Sequence, residues 1–305
     1  MASIESKLFY LLLRLIKKKK FLDMQFAFGK FDFNNSRLPP KRTEKICNIA
    51  SYTANGRNVF VLSPKSRKAT QHILYLHGGA YVQTFVRQHW KFLSNLVAST
   101  DSVITAPDYP IAPKHTFIDA FHMVISVYRE MIANVGPHNI VVMGDSAGGG
   151  FSLALCQRLK SENLPQPRRI ILLSPWLDLT LTNPEIRSID SRDPFLGISG
   201  LRKAALAYAG GHDLNDYCLS PIHGPLNGLA PISIFIGSND ILVADARRLM
   251  MIARRQGISI DYHEYRDMVH VWMLLYFPES RHAQQKIEQL VVDRPPGYID
   301  KQKIL

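Results

Sequence analysis

The stretch VVMGDSAGGG, residues 141–150, sets Ser146 among glycines immediately after an apolar run that starts at Ile140. A helix start would need only a capping serine, so Ser146 alone would suffice for that. The glycines at 144, 148, 149 and 150 ask for a backbone reason. Apolar, β-branched residues lead in, and Phe151, Leu153, Ala154, Leu155 and Leu159 follow in a helical pattern. The stretch therefore reads as a strand that turns at once into a helix, so tightly that neighbours of the turn must lack bulk.

The same alternation runs through the chain. Short runs rich in Val and Ile, bounded by Gly, Pro, Asn or Asp, fall at 47–52, 58–62, 72–76, 102–107, 139–143, 169–173, 231–236 and 259–265. Helical patterns mark 86–98, 116–134, 147–161, 243–257 and 279–292. Strands alternating with helices predict an α/β fold, an eight-stranded and mainly parallel sheet covered on both faces. Residues 177–230 break the rhythm, with no clear strand and many Pro, Gly and Asp. An insertion of this length between strands is expected to be functional, as a lid.

Gly144-Asp145-Ser146-Ala147-Gly148 is then G-x-S-x-G at a strand-to-helix turn, a nucleophile elbow. A serine there needs a base, an orienting acid and a site for a developing oxyanion. Of eleven histidines, His270 in YRDMVHVW (265–272) sits just past the last strand, within reach of the elbow. His263 falls inside that strand and His282 inside a helix, positions that suit structural or exposed roles. For the acid, Asp240 in IFIGSNDIL (234–242) directly follows a strand. Asp245 fits the first turn of the next helix, and Asp178, after an earlier strand, is the weaker rival. In LYLHGGAY (74–81), Gly78, Gly79 and Ala80 offer backbone N–H groups that join Ala147 N–H as oxyanion donors. His77 suits a structural hydrogen bonder that holds this loop.

These residues, in this order, make the chain resemble the hormone-sensitive-lipase-like branch of α/β-hydrolases, which includes many bacterial carboxylesterases. The resemblance rests on His77-Gly78-Gly79-Ala80, Asp108-Tyr109-Pro110-Ile111-Ala112-Pro113 and Gly144 to Gly149. It continues through Ser174 to Leu179, Ser220-Pro221, Gly237 to Asp240 and His270, spanning residues from about 70 to 290. It implies a Ser146–His270–Asp240 triad and an oxyanion hole from Gly79, Ala80 and Ala147. It also implies a helical cap built from the N-terminal arm and the 177–230 insertion, a dimer through the last strand, and a preference for short to medium acyl chains. Ala80 departs from the pattern, which usually has a third glycine; an alanine N–H still donates unless the backbone needs φ > 0 there. The expected function is a serine carboxylesterase with no cofactor and no metal. A peptidase or amidase on the same fold, and a non-catalytic small-ligand receptor, are the alternatives.

Size and composition agree with such an enzyme. The 305 residues are 46% hydrophobic and 20% charged, ordinary for a globular protein. Three scattered cysteines, Cys47, Cys156 and Cys218, form neither a disulfide framework nor a metal motif, which suits a reducing, cytoplasmic setting. The net charge of +12 is uneven: residues 1–45 hold eleven Lys or Arg against four Asp or Glu. The excess therefore sits on an N-terminal arm and the body, 46–305, is nearly balanced, so nucleic acid is not an expected partner. The arm, ESKLFYLLLRLIKKKKFL (5–22), is too short to span a bilayer and has its lysines after the apolar stretch, unlike a signal peptide. On a helical wheel Leu8, Leu12, Leu15 and Ile16 share one face, while Lys7, Arg14 and Lys18 share another. The preferred reading is a cap helix whose apolar side covers the active-site mouth. The alternative is peripheral membrane contact, with Lys17 to Lys20 meeting anionic headgroups.

Overall fold

The computed structural model describes residues 2–31, 36–65, 69 and 71–293. Parts of the expected arm (1 and 32–35) and of the expected catalytic segment (66–68, 70 and 294–305) lie outside the described residues. Each expected strand forms, within two residues of its expected bounds: β1 (Asn48–Ala54), β2 (Arg57–Ser63), β3 (His72–Leu76), β4 (Val103–Pro107), β5 (Ile140–Asp145), β6 (Arg169–Leu173), β7 (Ile232–Gly237) and β8 (Ile260–Tyr265). They make one sheet in the order β1-β2-β4-β3-β5-β6-β7-β8. The two pairings that involve β2 are antiparallel, and every pairing from β4 across to β8 is parallel.

The helices of the body are α3 (Arg87–Thr100), α4 (Phe117–Val135), α5 (Ala147–Ser161), α8 (Val243–Arg255) and α9 (Pro278–Val292), close to the five helical patterns. Successive side chains of a strand point to opposite faces. Val142 on β5 accordingly joins the core beneath α4, α5 and α8, whereas Val141 and Met143 join the core beneath α3 and α9. All six β5 residues are buried, as expected for a central parallel strand covered on both faces.

The 177–230 insertion folds into α6 (Glu185–Asp190), α7 (Ile198–Ala209) and connecting loops, and the arm into α1 (Ile4–Leu15) and α2 (Lys18–Ala27). The two regions meet. Asp23 of α2 accepts hydrogen bonds from Gly200 N–H (2.6 Å) and Ser199 Oγ (2.7 Å) at the start of α7. Lys19 pairs with Asp190 of α6 at 2.6 Å, and its N–H donates to Pro194 O at 3.1 Å.

One expectation for the arm is corrected. Leu8, Leu12, Leu15 and Ile16 do not face the body; all four are exposed. The helix has a second apolar side, and that side docks: Leu13 is buried and the Phe9 ring lies 5.9 Å from Phe277. Ser3, which caps α1, also hydrogen-bonds the Glu279 carboxylate of α9 and so fixes which side turns inward. Nor is the lysine run uniformly free, since Lys18 and Lys19 are half-buried. Among the described residues, no helix is long and apolar enough to cross a membrane.

Candidate active site

β5 ends at Asp145 and α5 begins at Ala147, so Ser146 is the turn between them. Its φ and ψ of 54° and −121° lie where few residues with a Cβ go. Hydrogen bonds hold it there: its N–H donates to Leu173 O (2.8 Å), and its carbonyl accepts from Trp176 N–H (2.9 Å). The flanking glycines are a consequence of closeness. A Cβ on Gly148 would overlap the carbonyl oxygens of Leu76 and His77, and one on Gly144 would stand 2.7 Å from Leu76 O.

His270, in the loop after β8, lies with Nε2 2.8 Å from Ser146 Oγ and Nδ1 2.7 Å from Asp240 Oδ2. With Nδ1–H donating to Asp240, Nε2 is the acceptor for the serine hydroxyl. Asp240 follows β7, is fully buried, and uses Oδ1 to accept Leu242 N–H at 2.9 Å. Burial alone would lower the His270 pKa. The Asp240 carboxylate, with smaller help from Asp193 and Asp145, outweighs burial and raises it above the ordinary imidazole value.

The rivals lie elsewhere. Asp178 accepts from Thr180 N–H (2.9 Å) and Thr180 Oγ1 (2.6 Å) and faces Arg248. Asp245 is in the first turn of α8 and accepts from Asn183 Nδ2 at 2.9 Å. His263 stacks on Phe235 within the sheet, and His282 meets the Tyr265 hydroxyl.

The loop after β3 abuts the elbow, so closely that a Cβ on Gly78 would stand 3.0 Å from Ser146 Cβ. One expected donor is corrected: Gly78 N–H is already bonded to Asp145 Oδ1 at 2.9 Å, so it is not available to an oxyanion. Among the described residues, the backbone N–H groups of Gly79, Ala80 and Ala147 have no acceptor. Ala80 and Ala147 are buried, and buried N–H groups normally find a partner. The departure at Ala80 has a structural consequence, because its φ is 53°, in the region that favours glycine. Among the described residues no group of three or more His, Cys, Asp or Glu side chains is assembled that could hold a metal ion.

The alpha/beta hydrolase fold family matches residues 73–274, which takes in the elbow, the acid and the histidine. The chain is an α/β hydrolase. It is 31% identical over 226 residues to an esterase of Acinetobacter venetianus, covering 72% of this chain and 74% of that one. It is 32% identical over 221 residues to an acetyl-hydrolase of Streptomyces hygroscopicus, again covering 72% and 74%. The solved structure of an esterase from the bacterial hormone-sensitive lipase family superposes with a TM-score of 0.77 at 26% identity, over 90% of this chain and 97% of that one. The hydrolase belongs to the hormone-sensitive-lipase-like branch.

Three residues that support the hydrolase site, Asp145, Tyr109 and Asp193, had no role assigned from the sequence. Asp145 accepts from Gly78 N–H and Tyr75 Oη (2.6 Å) and meets His89 Nε2 at 3.2 Å, so one carboxylate ties the Gly78 loop to the strand before the elbow. Burial would raise its pKa, but His89 and these hydrogen bonds hold it below the ordinary carboxylate range. His77 does hold the loop as expected, with Nδ1 2.7 Å from Gly78 O. Its ring stacks on Tyr109 at 4.2 Å, and the Tyr109 hydroxyl donates to His77 O at 2.6 Å, which gives the Asp108-Tyr109 motif a function. Burial lowers the His77 pKa to about 4, so it stays neutral.

The third is Asp193, in the insertion. It accepts from Phe195 N–H, Leu196 N–H and Ile241 N–H at 2.7–2.9 Å, and so joins the insertion to the turn that carries Asp240. Burial, then the nearby Asp240 charge, pushes its pKa up to about 7. Phe195 brings its ring to 5.9 Å from His270. A groove of about 420 Å³ between α4 and the far end of α5 is separate, since its lining contains no triad or oxyanion-loop residue.

Proposed function

We propose that this hydrolase is a serine carboxylesterase that cleaves short- to medium-chain acyl esters through an acyl-enzyme on Ser146. The carrying observation is the unbroken relay Ser146 Oγ–His270–Asp240, at 2.8 and 2.7 Å, beside N–H groups that have no acceptor among the described residues. The relatives called esterase and acetyl-hydrolase support ester substrates. His270 takes the Ser146 proton as Oγ attacks the ester carbonyl carbon. The oxyanion is met by the N–H groups of Gly79, Ala80 and Ala147, each donor contributing on the order of 3 kcal/mol to the barrier reduction. The tetrahedral intermediate expels the alcohol, which takes the proton from His270. Water, deprotonated by His270, then attacks the acyl-enzyme and releases the carboxylic acid. Asp240 keeps the imidazole in the tautomer this cycle requires and supports its charged form.

In this reading α1, α2, α6 and α7 form the cap, which is supported by the Asp23 and Lys19 contacts between arm and insertion. Two copies pair through β8, whose outer edge has no strand partner among the described residues. The test of function is a series of p-nitrophenyl esters of increasing acyl length, run beside an aminoacyl anilide. The expected result is highest kcat/KM on short to medium esters and little cleavage of the anilide. Faster anilide cleavage would make the protein an amidase, and no turnover on either would favour the receptor alternative.

A further inference from the structure

Helix α1 meets the protein with one side and solvent with another, and both sides are apolar. Phe9 and Leu13 dock, and Tyr10 Oη donates to Arg192 O at 3.1 Å. The outward side carries Ile4, Leu8, Leu11, Leu12 and Leu15, each 50–79% exposed. At 100° per residue these five fall in a single stripe, about 18 Å long for a helix of twelve residues. Folding has not used them, and contiguous exposed aliphatic surface of this kind marks an interaction site.

Charge identifies the partner. Lys7 and Arg14 lie along one flank of the stripe, and Lys17 and Lys20, both exposed, stand at its C-terminal end. Glu5 is the one acidic residue in α1. Lys19 is engaged by Asp190 and Lys18 is partly buried over Phe195, so these two belong to the protein and not to the rim. An aliphatic stripe beside cations suits a surface that is apolar below and anionic above, as a lipid leaflet is. A second copy of the chain fits less well. A two-fold contact through the stripe would bring like charges together, the Lys7 and Arg14 flanks if the helices ran antiparallel and the Lys17 and Lys20 ends if they ran parallel.

We propose that the outward stripe of α1 seats the enzyme on an anionic lipid surface, with its aliphatic side chains in the acyl boundary and Lys7, Arg14, Lys17 and Lys20 at the headgroups. Docking in this way leaves the inward side of α1 in place. The helix also touches the 190–196 loop beside His270 through Tyr10, so a docked arm holds the triad near the lipid surface. The proposal concerns attachment and stands whether or not the ester reading is right.

The test is co-sedimentation of the full chain with two kinds of vesicle: phosphatidylcholine alone, and phosphatidylcholine with about one-third phosphatidylserine. The expected result is binding to the anionic vesicles at low salt, at least roughly tenfold weaker on the neutral ones and weakened by added salt. Leu8→Gln/Leu11→Gln/Leu15→Gln should lose roughly tenfold or more of that binding while keeping the wild-type circular dichroism and turnover of soluble p-nitrophenyl butyrate. Lys17→Glu/Lys20→Glu, a second variant that leaves the stripe intact, should lose the salt-sensitive part. Wild-type protein left in the supernatant with both vesicles would overturn the proposal. So would a folded triple variant that binds like wild type, or one whose solution mass falls relative to wild type, because the stripe would then be a contact between copies.

Discussion

Ser146, His270 and Asp240 come from three separate turns, yet each was readable because each follows a strand and sits where an α/β sheet gathers its functional side chains. The glycines around Ser146 were readable for a related reason: close backbone contact leaves no alternative to glycine. Asp193 was not readable, since nothing near it in sequence hints that tertiary folding sets it against the Asp240 turn. The assignment of the acid has a direct check. Asp240→Asn should lower kcat/KM by roughly 10³–10⁴-fold, as loss of the orienting carboxylate does in other triads, whereas Asp178→Asn should lower it little. The pH profile gives the sign. His270 must be neutral to act as base, and its pKa is raised, so activity should rise with pH along a limb centred above the ordinary imidazole value of about 6.5. If Asp178→Asn is the more damaging change, the acid is misassigned. Ala80 offers a second check. A left-handed alanine is strained, so Ala80→Gly should stabilise by about 1 kcal/mol, or roughly 2 °C in Tm, with the donor kept. A lower Tm would show that the strain argument is wrong.

At the level of elements, strands and body helices were legible because Val- and Ile-rich runs and long amphipathic patterns signal a sheet covered on both faces. The insertion was less so. α6 has six residues and α7 opens after Gly197, with another glycine at 200; such short or glycine-bearing helices are held by neighbours more than by propensity. The neighbour is α2, whose Asp23 bonds Gly200 N–H and Ser199. The wheel for α1 identified an apolar face but could not decide which of two such faces docks. That choice depends on Ser3 and Glu279, residues far apart in sequence. A consequence follows for the cap. Removing residues 1–22 deletes α1 and the Lys19 contacts to Asp190 and Pro194, which support the loop bearing Asp193 and Phe195. The truncated enzyme should show a kcat/KM on soluble esters lowered by tenfold or more, without any vesicle present. Unchanged activity would mean that the arm has no part in the cap.

For the whole molecule, the charge asymmetry was evident from the sequence, with the basic excess on an arm that the structure places against the insertion and α9. The sheet order puts β8 at one edge, and exposed edges invite pairing unless they are covered. A dimer through β8 should therefore appear by light scattering, and a monomer mass over a wide concentration range would rule it out. The proposed chemistry needs less than a dimer: one serine, held in a strained turn, has to form a covalent acyl-enzyme. Its most direct test is reaction of the intact enzyme with a fluorophosphonate, followed by digestion and mass mapping of the adduct. The expected result is a single modified site at Ser146, with turnover of p-nitrophenyl butyrate lost in step with labelling. Stoichiometric labelling of a different serine, or full turnover with Ser146 occupied, would contradict it.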